Sequence, residues 1–103
     1  MRFANENGYC ELNPFPGNSQ IVVSNHAFIY PSKRGKGNGS DNHKLRVERA
    51  TFLGFDYLIC TVKSNNEAEL AILKKNNFKE LDEFLNTNTG NLNKIFGKQL
   101  KRD

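Results

Sequence analysis

The stretch Ile29-Tyr30-Pro31-Ser32-Lys33-Arg34-Gly35-Lys36-Gly37-Asn38-Gly39-Ser40 decides how the rest of the chain is read. An apolar run over residues 21–30 feeds into it. A segment with helical features, 40–53, leaves it and is closed by Gly54. The order is therefore strand, cationic glycine-rich turn, helix. Glycine lets a backbone turn sharply and aim successive N–H groups at one spot, and a helix N-terminus adds partial positive charge there. Such a turn cradles a phosphate or pyrophosphate. Spacing excludes two familiar versions. A nucleotide P-loop needs Gly-x-x-x-x-Gly-Lys-Ser/Thr, which the chain lacks. A dinucleotide fingerprint needs Gly-x-Gly-x-x-Gly, whereas Gly35, Gly37 and Gly39 fall at every second position.

The spacing that is present is Arg34-x-x-Gly37-x-Gly39, with Pro31 three residues before the arginine. A helix-length spacer follows, then Gly54-Phe55-Asp56-Tyr57-Leu58-Ile59-Cys60-Thr61-Val62, Asn65-Asn66-Glu67-Ala68, Ile72-Leu73-Lys74-Lys75 and Asn76-Asn77-Phe78. This order resembles the GNAT acyltransferases. Their acetyl-CoA loop reads Arg/Gln-x-x-Gly-x-Gly/Ala and is followed by a helix, Gly, a strand, Asn-Glu-Ala, a helix, Lys, and a Phe opening a further strand. The resemblance covers residues 21–78 without an obvious gap and, more loosely, the final hairpin. It implies an α+β fold: a mixed, mostly antiparallel sheet with a central parallel, splayed strand pair and helices on both faces. It implies one GNAT-like domain over 1–103, with acetyl-CoA as acyl donor and an amine as acceptor. By the same resemblance the CoA contacts come from Arg34, Gly35, Lys36, Gly37, Asn38, Gly39 and Ser40, from Asn66, and from the strand backbone at Phe28, Ile29 and Tyr30. There the pantetheine arm lies where the two parallel strands part.

Size and composition agree with one small domain. A chain of 103 residues can bury a core with little surplus stability, and 37% hydrophobic with 25% charged residues is ordinary for a soluble globular protein. No apolar run reaches the length of a membrane span, and residues 1–6 lack the apolar core of a signal peptide. Cys10 and Cys60 do not make a disulfide framework, so a reducing cytoplasm is the simplest setting. His26 and His43 are too isolated to argue for a metal. The net charge of +4 suits nucleic acid, an acidic partner or a phosphorylated cofactor. Lys33, Arg34 and Lys36 flank glycines at a strand–helix junction, which favours the last.

In chain order, residues 9–12 read as a short strand and 13–18 as a turn. Residues 21–30 and 55–62 are apolar on both faces and read as buried, mutually parallel strands. In the helix over 40–53, His43 reads as a first-turn surface residue, with contact to CoA or substrate as the other reading. Ser64-x-x-Glu67 matches a capping box for a helix ending near Lys75, with Asn76 or Asn77 taking a left-handed closing conformation. Residues 78–85 and 92–100 flank the polar turn 86–91 and read as a hairpin. A full-length GNAT domain carries a further strand and two helices ahead of this region. Their reduction here implies an open acceptor side, or a protein partner or second copy completing it.

Moving an acyl group from a thioester to an amine requires that CoA be held, the carbonyl polarised, the ammonium deprotonated and the departing thiolate neutralised. The family's frequent general acid is a tyrosine in the helix after Asn-Glu-Ala, at the position that here is Leu73. Its acidic base often lies in the first central strand, which here offers Ser24, Asn25 and His26 without a carboxylate. His26, Tyr57 and Cys60 are the remaining side-chain candidates, and water can serve the same steps. Two other readings stand beside the enzyme: a catalytically silent CoA-binding interaction module, and a small basic nucleic-acid-binding protein. The resemblance implies an amine acceptor, and a small molecule, a protein amine or a nucleic-acid base all fit it.

Overall fold

A computed structural model of the chain describes residues 1–35 and 38–100, with the backbone alone at 25–27 and 38–40. Its strands are β1 (Arg2–Ala4), β2 (Gly8–Phe15), β3 (Asn18–Ile29), β4 (Tyr57–Lys63), β5 (Lys79–Asn86) and β6 (Asn91–Gln99). Its helices are α1 (Asn38–Phe52) and α2 (Glu67–Lys75). The strands form one sheet in the order β1-β2-β3-β4-β6-β5. Every neighbouring pair is antiparallel except β3 and β4, which run parallel. The expected mixed sheet with a central parallel pair is therefore present.

One part of the expectation is corrected. Because β4 and β5 are each antiparallel to β6 between them, they are parallel to one another. The chain thus makes two parallel crossovers, β3-α1-β4 and β4-α2-β5, stepping the same way along the sheet. Right-handed crossovers that step in one direction leave their helices on one face. Accordingly Ala50 of α1 and Leu73 of α2 are both fully buried in a single cluster with Leu12, Val22, Leu58, Cys60, Val62 and Phe96. The described helices share one face; they do not cover both. On the other face Ile21, Val23, Tyr57 and Ile59 are only half-buried. Residues 21–30 and 55–62 are apolar on both sides, as read, but only one side is sealed. No helix of the described residues is long and apolar enough to cross a membrane.

The first twenty residues are more regular than their Asn, Gly and Pro content suggested. β2 runs on through Phe15, and the reversal into β3 is confined to Pro16 and Gly17, with Gly17 at φ 81°. Pro14 is tolerated in β2 because it lies beyond Glu11, the last residue paired with β1, where the strand has no neighbour on that side. The helix ends follow the sequence reading closely. Gly54 closes α1 at φ 93° and Asn77 closes α2 at φ 64°, the left-handed geometry of a C′ residue.

Gly8 is fixed by a close approach. A Cβ built on it would lie 2.0 Å from the carbonyl oxygen of Phe28, so any side chain forces β2 away from the C-terminal end of β3. Gly8→Ala should lower unfolding free energy by about 1–3 kcal/mol in urea titration. A loss within experimental error would show that the two strands are not in this contact.

Candidate functional site

Parallel pairing between β3 and β4 lasts for three residues, Ile21↔Tyr57, Val22↔Leu58 and Val23↔Ile59, and then stops. Both strands continue. β3 runs to Ile29 held by β2, and β4 runs to Lys63 held by β6. Between the pairs Glu11↔Asn25 and Tyr9↔Phe28, residues 26 and 27 of β3 oppose Cys10 alone. One extra residue on a strand bends it and increases its twist, which carries β3 away from β4. The result is a fork whose facing N–H and C=O groups no longer pair with each other, a slot that an amide-bearing chain can enter as a strand would.

Both helices begin at the open end of this fork, α1 after the end of β3 and α2 after the end of β4. Each therefore presents its positive terminus there. The connection into α1 leaves Tyr30, whose N–H donates to Asn7 O (2.9 Å). It makes one 3-10 turn over Pro31–Lys33 and passes through Gly35 at φ 77°. Lys36 and Gly37 lie outside the described residues. Asn38, Gly39 and Ser40 supply backbone to the first turn of α1, which starts two residues earlier than the sequence suggested. Arg34 is exposed and folds back on the strand it follows: Nε donates to Ile29 O (2.9 Å), and its guanidinium lies 5.0 Å over the Phe28 ring. Phe28 in turn stacks on Tyr9 at 5.5 Å and meets Tyr30 edge-on at 6.2 Å. The cap of α2 is Asn66, whose side chain accepts from Glu69 N (3.2 Å). The expected Ser64–Glu67 capping box does not form, because the helix starts immediately after Asn66. Ser64 donates instead to Glu83 (2.8 Å).

Beneath the fork, on the helix-covered face, the core is polar. Ser24 and Cys60, the first residues beyond the last β3–β4 pair, are both buried. Arg46 of α1, 5% exposed, donates through Nη1 to Ser24 Oγ (2.9 Å). Its Nη2 lies 2.8 Å from both ring nitrogens of His43, and His43 Nε2 is bonded to Glu69 Oε1 of α2. His43 is 1% exposed and packs edge-on against Phe78. Its reading as a surface residue is thus overturned. α1 starts at Asn38, so His43 lies in its second turn on the same stripe as Arg46 and Ala50. Burial pushes the His43 imidazole down, outweighing the upward pull of Glu69. The bond from His43 is the main cause holding the Glu69 carboxyl down. A neutral imidazole can accept from Arg46 and donate to Glu69, leaving the Arg46 Nε without a partner among the described residues.

Comparison with known structures locates this arrangement. No protein-family model matches the chain, and no curated protein matches it in sequence. Solved structures do match. A candidate phosphinothricin N-acetyltransferase superposes with a TM-score of 0.81 at 22% identity, over 93% of this chain and 62% of that one. YncA of Salmonella typhimurium, solved with its cofactor acetyl-CoA, gives 0.78 at 17% identity, over 94% of this chain and 60% of that one. The ribosomal-protein-S18-alanine N-acetyltransferase of Escherichia coli gives 0.79 at 12%, over 100% and 70%. The chain has the GNAT N-acetyltransferase fold. It spans less than two thirds of the length of the first two of these proteins.

Against the GNAT pattern, the candidates from sequence are scattered. His26 lies at the β3 bulge by its backbone, and its side chain falls outside the described residues. Tyr57 opens β4 at the closed end of the fork, on the uncovered face. Its ring lies against Gly97, where a built Cβ would sit 2.4 Å from the phenol oxygen. Cys60 lies at the point of parting, but burial pushes its thiol up to about 11, so it is neutral near pH 7. Leu73, at the family's tyrosine position, is fully buried. What the sequence reading missed is the cluster of Arg46, His43 and Glu69. The signal available was the spacing 43, 46, 50 on one helix face.

Protonating His43 would place a second cation beside Arg46. Because its folded-state pKa is lowered, the unfolded chain binds that proton more readily, and stability should fall as pH drops below about 6.5. The lowered Glu69 carboxyl adds a loss in the same direction below about 4.5. His43→Gln should lower stability near pH 7 by about 1–3 kcal/mol and flatten the acid limb between pH 7 and 5. Identical limbs in urea titrations of the two proteins would contradict the buried, neutral assignment.

Proposed function

We propose that this chain is an acyltransferase that binds acetyl-CoA in the fork between β3 and β4 and passes the acetyl group to an amine. The observation that carries the reading is the fork itself: a parallel pair that parts after three residues, with a glycine-rich cationic turn and two helix N-termini at its mouth. Acetyl-CoA supplies the activated acetyl group. The backbone at Phe28, Ile29 and Tyr30 would hold the amides of its pantetheine arm, and the N–H groups from Gly35 to Ser40 its pyrophosphate. Arg34 would add a charge at the rim, with Lys36 and Asn66 beside it. The half-exposed face is open for the acceptor, a small-molecule or protein amine, and a second copy or a protein partner would complete that side. Two free cysteines suit a reducing cytoplasm.

A catalytically silent CoA-binding module is the second reading, favoured by one observation. The family's tyrosine position is Leu73, wholly enclosed in the core, and it has no proton to give. Release of free CoA in the presence of a panel of amines separates the two readings.

The direct test of binding is calorimetric titration with acetyl-CoA. Wild type should bind. Gly39→Glu, which sets a carboxylate in the first turn of α1, should weaken affinity at least tenfold, or about 1.4 kcal/mol, without lowering the melting temperature by more than a few degrees. No binding by the wild-type protein would overturn the proposal.

A further inference from the structure

Arg46 is the least expected residue in this core. A guanidinium removed from water carries a desolvation cost that good partners offset only in part, and an apolar side chain of similar volume is commonly as stabilising or more so. Here the charge is enclosed by one group from each surrounding element: Ser24 of β3, Cys60 of β4, Cys10 of β2, His43 of its own helix and Glu69 of α2. The carboxylate of Glu69 is 3.9 Å away and bonds His43, so the contact with Arg46 is indirect. The guanidinium Nε is buried with no hydrogen-bond partner among the described residues. Ser24, which Arg46 grips, is the first residue of β3 beyond the ladder shared with β4. The charge therefore lies just beneath the point where the two strands part.

We infer that Arg46, positioned by His43 and Glu69, is the charge partner of a thiolate formed in the fork. The inference rests on the acetyl-CoA reading and gives it a group that Leu73 cannot supply. In the transfer, the acceptor nitrogen bonds to the acetyl carbon. The carbon–sulfur bond breaks and leaves its electron pair on sulfur, and nitrogen releases a proton to water. Arg46 gives up no proton. It lowers the energy of the sulfur anion, as a fixed cation does for developing charge in a site closed to water. Neither cysteine near it competes for this role near neutral pH, since burial pushes both thiols up.

The test compares two ligands on the intact protein. Free CoA has a thiol; desulfo-CoA has the same nucleotide, phosphates and arm without it. Calorimetric affinities are measured for both between pH 7 and 9. A thiol whose pKa falls on binding makes affinity rise with pH between the bound and free values. Free CoA should therefore gain several-fold over desulfo-CoA across this range, approaching tenfold per unit of lowering only as the pH passes the pKa of the free thiol. The phosphates contribute equally to both ligands and cancel in the ratio. In Arg46→Gln the ratio should stay constant with pH, and in Arg46→Lys part of the gain should remain. A constant ratio in wild type, with both ligands bound, overturns the role of Arg46 and leaves the CoA reading standing. Failure of both ligands to bind at every pH overturns the CoA reading, and this inference with it. The wild-type comparison decides even if Arg46→Gln does not fold.

Discussion

Everything distinctive in this molecule follows from a ladder of hydrogen bonds that is not continued. β3 and β4 are neighbours in the middle of a sheet, and after Val23 and Ile59 they stop bonding to each other. A strand abandoned on one side is costly unless the other side holds it. Here β2 holds β3 to Ile29 and β6 holds β4 to Lys63. Two antiparallel ribbons are therefore joined along a short seam and spread apart above it. The bulge opposite Cys10 and the bare Cα of Gly8 allow β3 to follow β2 rather than β4.

The crossovers add the charge. Each helix must start where its preceding strand ends, so both N-termini are delivered to the open end of the fork by chain connectivity alone. The same connectivity places both helices on one face. Beneath the parting strands, Arg46 and His43 of one helix meet Glu69 of the other. Above, the slot offers backbone groups and helix termini; below, a buried cation. Such a slot suits an extended, anionic, amide-containing ligand better than a globular one.

Much of this could be read from the residues in order. The glycines and basic residues after Ile29, the Gly54 and Asn77 helix ends, and the Asn66-Glu67-Ala68 start of α2 are local signals, and local chemistry decides them. The extent of β2 and β3 over residues 13–20 is not legible locally, because proline, glycine and asparagine argue for a turn unless pairing partners are known. Their partners lie across the hairpin and, for Asp56 N bonded to Gln20 O, far along the chain. The placement of His43 failed for a related reason. A polar residue near a helix start reads as solvent-facing, and the partner that lets it sit inside, Glu69, lies twenty-six positions away. The expectation of helices on both faces came from the family resemblance. The handedness of two crossovers would have corrected it once the order β4-β6-β5 was known.

The fork itself is most directly tested by amide hydrogen exchange on the protein with and without acetyl-CoA. The account predicts that amides of β3 and β4 pointing into the fork beyond Val23 and Ile59 exchange rapidly in the free protein. They become protected on saturation with acetyl-CoA, while the β2–β3 and β4–β6 ladders remain slow throughout. Uniform protection across β3 and β4 without ligand, or an exchange pattern unmoved by acetyl-CoA, would contradict it.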